Sequence, residues 1–246
     1  MLTQKSHIHF IGIGGIGMSG LAWLCLKKGY KVSGSDVKPS RITQDLIKEG
    51  AHIYIGHKKE NAAGADIIIY SSAISDQNPE FLLAKRENII TLSRGEFLGY
   101  FMRDKTGIAV AGAHGKTTTS SLAATLFSEL GYDPTAIIGA LVPSFNGSAF
   151  LGNGDFFIAE ADESDGSFLF LEPVYSIVTN IDLEHLDYYS NLEHIQKAYL
   201  EFMRNTKPEG AVICCGDDPN IKKAAGLLKR EVLTYGFCRS NICLLY

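Results

Sequence analysis

Ala111-Gly112-Ala113-His114-Gly115-Lys116-Thr117-Thr118-Thr119 is the stretch from which the fold is read. An apolar run, Gly107–Ala111, feeds a glycine turn, and a helical pattern starts at Lys116 and runs to Leu130. Strand, glycine turn and helix in that order make a phosphate cradle, because the turn's N–H groups and the helix N-terminus face one anion. The Lys116 ammonium suits triphosphate oxygens, and the Thr117 hydroxyl is a hard oxygen ligand for Mg²⁺. The spacing is G-x-x-G-K-T-T, shorter than the strict P-loop, whose first glycine would fall at Val110. The plain alternative is a chance Gly-Lys-Thr helix start.

The same order occurs nearer the N-terminus. His7–Ile13 reads as a strand, Gly12-Ile13-Gly14-Gly15-Ile16-Gly17 supplies G-x-G-x-x-G, and Gly15–Lys28 reads as a helix. The missing side chains allow a tight turn and close approach of a diphosphate. Asp36 ends the next strand, where an acidic residue can accept from a ribose. Taken alone, this loop fits a nicotinamide-dependent dehydrogenase equally well, or a tight turn with no ligand. Two glycine loops are harder to explain with one nicotinamide cofactor; they fit two phosphate-bearing ligands, one nucleotide per domain.

Working outward, apolar runs alternate with amphipathic ones throughout. Strands are expected near Lys31–Asp36, His52–Ile55, Asp66–Tyr70 and Ile89–Leu92. Helices are expected over Arg41–Glu49, Pro79–Arg86 and Arg94–Met102. A second series follows the charged stretch Met102–Lys105. It has strands at Ala136–Ile138, Asp155–Ala161, Tyr175–Asn180, Ala211–Cys215 and Glu231–Tyr235, and helices at Leu192–Asn205 and Pro219–Arg230. Such alternation predicts an α/β fold of two successive Rossmann-like or P-loop-like sheets, mostly parallel, with flanking helices. The expected domains are residues 1–103 and 104–246. Gly139–Gly154 reads as a surface loop, and Cys238–Tyr246 as supplying no clear closing element.

Acidic residues gather after two of these strands, in Glu160-Ala161-Asp162-Glu163-Ser164-Asp165 and in Asp182-Leu183-Glu184-His185-Leu186-Asp187. The C-terminal ends of parallel strands are where α/β sheets bind ligands. Position alone leaves Glu160 and His185 open between metal ligand and loop residue; Glu163 and Glu184 read as solvated loop charges. His52, His57 and His194 read as surface or packing residues, and Trp23 and Phe168–Phe170 as core.

The 246-residue chain is 46% hydrophobic and 20% charged, an ordinary globular composition. A formal net charge of -4 argues against a broad nucleic-acid surface. The five cysteines, Cys25, Cys214, Cys215, Cys238 and Cys243, contain no C-x-x-C pair, so reduced thiols in a cytoplasmic protein are expected. The N-terminus has no signal-peptide pattern, and no apolar run is long enough to cross a bilayer.

Taken together, GIGGIGMSGLA (12–22), GSD (34–36), SSAI (71–74), NPE (78–80), GAHGKTTT (112–119), EADESDGSF (160–168) and TNIDLEHLDYY (179–189) resemble the Mur ligase family. The likeness is to its branch that joins L-alanine to UDP-N-acetylmuramate, and it runs to about Gly236. Ala113 departs from the family, which usually carries Thr there. The resemblance implies ATP-dependent ligation through an acyl phosphate in peptidoglycan precursor synthesis, with ATP and Mg²⁺ as cofactors. It implies ATP binding by Gly112, Ala113, His114, Gly115, Lys116, Thr117 and Thr118, and catalytic roles for Lys116 and His185. It implies Mg²⁺ binding by Thr117, Glu160 and His185, and UDP-sugar binding by Gly12, Gly14, Gly15, Gly17, Asp36 and Ser72. It also implies that 104–246 is an incomplete central domain whose C-terminal ligase domain is absent. On that expectation the chain alone binds nucleotides without turning over.

Overall fold

The computed structural model describes residue 3, residues 5–142 and 147–237, and the backbone of 243–244. The chain divides into two compact units, one of Met1–Phe97 with Ile137–Leu151, the other of Leu98–Ala136 with Gly152–Tyr246.

The first unit carries a five-stranded parallel sheet in the order β3-β2-β1-β4-β5. The strands are β1 (His7–Ile11), β2 (Lys31–Asp36), β3 (His52–Ile55), β4 (Ile67–Tyr70) and β5 (Ile90–Ser93). β1 is buried at every position, as a strand with neighbours on both edges and helices on its faces must be. Chain order reverses between β1 and β4, so the loop after β1 opens at a topological switch point.

Local chemistry sets the helix starts. α1 (Ile16–Lys27) is apolar nearly all round and buries Met18, Leu21, Ala22, Leu24 and Cys25. α2 (Arg41–Lys48) begins at Ser40, which forms a reciprocal capping box with Thr43. α3 (Pro79–Glu87) begins at Asn78, whose side chain accepts from the N–H groups of Glu80 and Phe81, with Pro79 at its first position. α4 (Arg94–Met102) follows β5.

In the second unit β6 (Thr106–Ala111) has parallel neighbours on both sides, β9 (Phe156–Glu160) and β10 (Tyr175–Val178). β11 (Ala211–Cys215) and β12 (Val232–Gly236) extend the sheet beyond β10, and residues 243–244 form a short strand, β13, beside β12. The remaining residues of 238–246 lie outside the described residues. α5 (Lys116–Glu129) follows β6, while α6 (Leu192–Arg204) and α7 (Pro219–Ala225) flank β11 in the chain. Phe168 stacks on Phe202 with ring centres 5.1 Å apart and meets Tyr199 edge-on at 5.3 Å, forming an aromatic core under α6.

Several expectations are corrected. Much of Gly139–Gly154 is strand: β7 (Thr135–Val142) runs well past Ile138, and β8 (Gly147–Phe150) packs on α1. α7 stops at Ala225, where Gly226 caps it, short of Arg230. Phe168 is core, but Phe170 is half exposed and Trp23 only half buried, with the Lys27 ammonium 5.4 Å from its ring centre. Among the described residues no helix is long and apolar enough to cross a membrane.

Candidate functional site

Parallel register brings three strand ends together in the second unit. Val110 of β6 pairs with Glu160 of β9, and Ala111 with Val178 of β10. The residues that follow therefore emerge side by side at one sheet edge. At Gly112 φ is +145°, and an added Cβ would stand 1.9 Å from Thr179 Oγ1, so this turn requires glycine.

The second glycine loop is pinned to the end of β10. Asn180 O accepts from Ala113 N at 3.2 Å, and Asn180 Oδ1 from His114 N at 2.8 Å. In return Asn180 Nδ2 and Thr179 Oγ1 donate to His114 O at 2.8 and 2.7 Å. These four hydrogen bonds fix the loop backbone against the end of β10. Thr118 lies exposed in the first turn of α5.

Lys116 folds back over this loop. Its Nζ donates to Gly112 O at 2.6 Å and to Glu163 Oε1 at 2.7 Å, and Ala113 O lies at 3.4 Å. Thr117 Oγ1 lies 3.0 Å from both carboxylate oxygens of Glu160. Glu163 is buried, contrary to its reading as a solvated charge. The turn Asp162–Gly166 puts it there: Asp162 Oδ1 accepts from Ser164 N, Glu163 O from Gly166 N, and Tyr189 Oη donates to Glu163 O. Burial pushes the Glu163 carboxyl above the usual range, and the Lys116 hydrogen bond and charge offset only part of that. Its Oε2 is buried with no hydrogen-bond partner among the described residues.

His185, at φ +54°, places Nε2 3.4 Å from Glu163 Oε1. Glu163, Glu184 and His185 each offer one ligand atom, all within 4.8 Å of one another, the spacing of a metal site. Glu184 is half buried rather than free in solvent. The six residues Lys116, Thr117, Glu160, Glu163, Glu184 and His185 thus gather at this edge as two groupings. Thr117 pairs with Glu160, and Lys116 and His185 both meet Glu163, with Glu184 beside them. Asp182 and Asp165 serve as turn caps, accepting from Leu183 N and Ser167 N.

In the first unit the glycine loop closes on the end of β2. Gly12 N and Ile13 N donate to Ser35 O at 2.9 and 3.1 Å, and Gly14 N donates to Asp36 Oδ2 at 2.8 Å. A Cβ on Gly14 would stand 2.7 Å from that oxygen. Gly15 N donates to Gly12 O at 3.3 Å, and Gly15 caps α1. Beside Gly17 runs the Arg94 side chain, 3.2 Å from where a Cβ would sit. Ser72 is exposed after β4, while Ser71 stands against Gly12. Sequence reasoning missed Arg94, Asn180 and Glu163. Asn180 was the most findable, since a strand ending in Asn beside a glycine loop offers both a donor and an acceptor.

Residues 7–106 match the family described as "Mur ligase family, catalytic domain", and residues 110–243 match "Mur ligase middle domain". A UDP-N-acetylmuramate–L-alanine ligase of Desulfotalea psychrophila is 52% identical over 237 residues, which are 96% of this chain and 52% of that protein. The chain spans about half the length of the curated relatives it matches. Among solved structures, a UDP-N-acetylmuramate–alanine ligase of Thermotoga maritima superposes with a TM-score of 0.81 at 33% identity, covering 94% of this chain and 52% of that one. A UDP-N-acetylmuramate:L-alanyl-gamma-D-glutamyl-meso-diaminopimelate ligase of Neisseria meningitides superposes with a TM-score of 0.88 at 26% identity, covering 94% of this chain and 78% of that one.

Proposed function

Because the chain belongs to the Mur ligase family, we propose that it serves the ATP-dependent ligation of L-alanine to UDP-N-acetylmuramate, in the cytoplasm, for peptidoglycan precursor synthesis. The observation that carries this reading is the meeting of Lys116, Thr117, Glu160, Glu163 and His185 at one sheet edge beside a preformed glycine loop. The first unit, with its own glycine loop, takes the UDP-sugar through Gly12, Gly14, Gly15 and Gly17, with Asp36 and Ser72 nearby and Arg94 as a further cation. The nicotinamide-dependent dehydrogenase reading accounts for the first loop alone and is set aside by the family match.

In the reaction an oxygen of the muramate carboxylate attacks the γ-phosphorus of ATP, the bond to the β–γ bridging oxygen breaks, and ADP leaves. The L-alanine amine then attacks the acyl carbon and loses a proton, and inorganic phosphate departs with the bonding electrons. No side-chain nucleophile is needed; positioning and charge neutralisation carry the catalysis. Lys116 exchanges Gly112 O and Glu163 for β- and γ-phosphate oxygens, while the N–H groups in the first turn of α5 hold the phosphate chain. The donor set fits Mg²⁺: carboxylate and hydroxyl oxygens dominate, and Glu163 Oε2 is buried without a partner among the described residues. Thr117 and Glu160 would hold the ion shared with ATP, and His185 a second, with Glu163 and Glu184 adding oxygens. Bound Mg²⁺ would neutralise charge on the transferring phosphoryl group.

The test is ligand selection by calorimetry, with UDP-N-acetylmuramate, UDP-N-acetylglucosamine and NADH titrated separately into the chain. Binding that prefers the muramate nucleotide is expected. Preference for NADH would overturn the assignment.

A further inference from the structure

Behind the first glycine loop lies a row of polar side chains that the reaction does not use. Glu80, in the first turn of α3, is fully buried, as are His9 and Ser35. Five donors converge on its carboxylate. His9 Nε2 and Ser35 Oγ reach Oε2 at 2.8 and 2.7 Å; Lys58 N, Asn61 Nδ2 and His57 Nδ1 reach Oε1 at 3.2, 3.1 and 3.1 Å. Burial works to raise this carboxyl's pKa, but the hydrogen bonds from His9, Ser35 and Asn61 and the His9 charge outweigh it and hold it below the usual range. Glu80 is therefore ionised.

Hydrogen counting then fixes a second charge. His7 Nδ1 lies 3.0 Å from Gly64 O, which can only accept, so that nitrogen carries a hydrogen. His9 Nε2 carries one too, facing the Glu80 carboxylate. Between the rings, Ser33 Oγ lies 2.7 Å from both His7 Nε2 and His9 Nδ1. Those two bonds need two hydrogens, and the hydroxyl has one. The other must come from a ring that already carries a hydrogen on its far nitrogen, so one of the two histidines is an imidazolium. Burial, the largest influence, lowers the His7 pKa, and the Lys31 and His9 charges act the same way; the Gly64 hydrogen bond and the charge of Asp66, whose carboxylate accepts from His7 N at 2.7 Å, offset only part of it.

Glu80 also reaches the loop through two short paths. Ser35 donates to Glu80 with its hydroxyl while its main-chain oxygen receives Gly12 N and Ile13 N. Asn61 donates to Glu80 and to Gly56 O, and Gly56 N donates to the main-chain oxygen of Asp36, whose carboxylate receives Gly14 N.

We propose that Glu80 is the positioning residue of the first glycine loop: a buried carboxylate that fixes Ser35 and the 56–61 turn, and through them the loop's amides, with its charge balanced by one imidazolium in the His7–Ser33–His9 row. This rests on the reading that the Gly12–Gly17 loop binds the UDP diphosphate.

The test combines calorimetric titration with UDP-N-acetylmuramate and nitrogen-15 NMR of the histidine rings at about pH 8, where exposed imidazoles are neutral. The wild type is expected to show one imidazolium between the two buried rings. Glu80→Gln, folded by circular dichroism, should lose that signal and bind roughly tenfold more weakly. Glu80→Asp, which keeps the charge, should retain the imidazolium and recover part of the affinity. Should Glu80→Gln fail to fold, Ser35→Ala removes only the hydroxyl link, and a several-fold loss of affinity is expected there. Wild-type affinity in folded Glu80→Gln or in Ser35→Ala would overturn the proposal, as would two neutral buried rings in the wild type. Absence of nucleotide binding by the wild type would instead defeat the functional reading, and the ring count, which needs no ligand, would still decide the charge arrangement.

Discussion

Removing the Lys116 ammonium strands a carboxylate. Lys116 Nζ lies 2.7 Å from Glu163 Oε1, with side-chain exposures of 15% and 3%. Breaking a buried pair by deleting one partner typically costs about 3–5 kcal/mol, because the other charge is left uncompensated. The low end applies to Lys116→Ala, since Lys116 keeps some solvent and Glu163 can escape by taking a proton. That escape gives the loss a pH signature. The folded-state pKa of Glu163 is already raised by burial, so this group's contribution to stability is undiminished below its unfolded pKa and falls as pH rises towards the folded value. Without Lys116 the folded pKa rises further, and the window of falling stability widens by about 1.4 kcal/mol for each added pKa unit. Urea unfolding of Lys116→Ala in the presence of a chelator should therefore show a loss of about 3 kcal/mol near pH 8 and a clearly smaller one near pH 5. Adding Glu163→Gln should recover most of the loss at the higher pH. A loss equal at both pH values, or not relieved by the second substitution, would show that a stranded Glu163 charge is not its cause.

Gly14→Val places a side chain where Asp36 Oδ2 stands 2.7 Å from a Cβ, so calorimetry should find UDP-N-acetylmuramate binding abolished in a folded protein, with Mg-ATP binding kept. Asn180→Ala frees His114 N and His114 O from their 2.8 Å partners; Mg-ATP affinity should fall by about 1–3 kcal/mol, read by the same method. Lys116→Ala should weaken Mg-ATP by at least about 2 kcal/mol, the low end for a charge contact in a partly open site.

What the sequence disclosed was local in origin. Both glycine loops are strand–turn–helix units whose signals lie within a dozen residues, and the strand alternation around them was enough for two mostly parallel sheets. Burial of Glu163 was not legible, because it depends on Tyr189 and the aromatic core under α6, which arrive later in the chain. His9 and Glu80 are 71 residues apart and meet only once α3 packs on the sheet that holds β1, so His57 read as a surface or packing residue and neither Asn61 nor Glu80 was assigned a role. The extension of β7 past Ile138 and the whole of β8 were hidden by glycines at 139, 147 and 152, which read as loop until neighbouring strands and α1 supply the packing.

If each unit holds its own phosphate-bearing ligand, the UDP-sugar at Gly12–Gly17 and Mg-ATP at Gly112–Thr118, the two ligands bind without competing. The most direct measurement is a paired calorimetric titration of the chain, with UDP-N-acetylmuramate added to protein saturated with Mg-ATP and then in the reverse order. About one site is expected for each ligand, each still available when the other is full. Mutual displacement, with one ligand expelling the other from a single site, would contradict it.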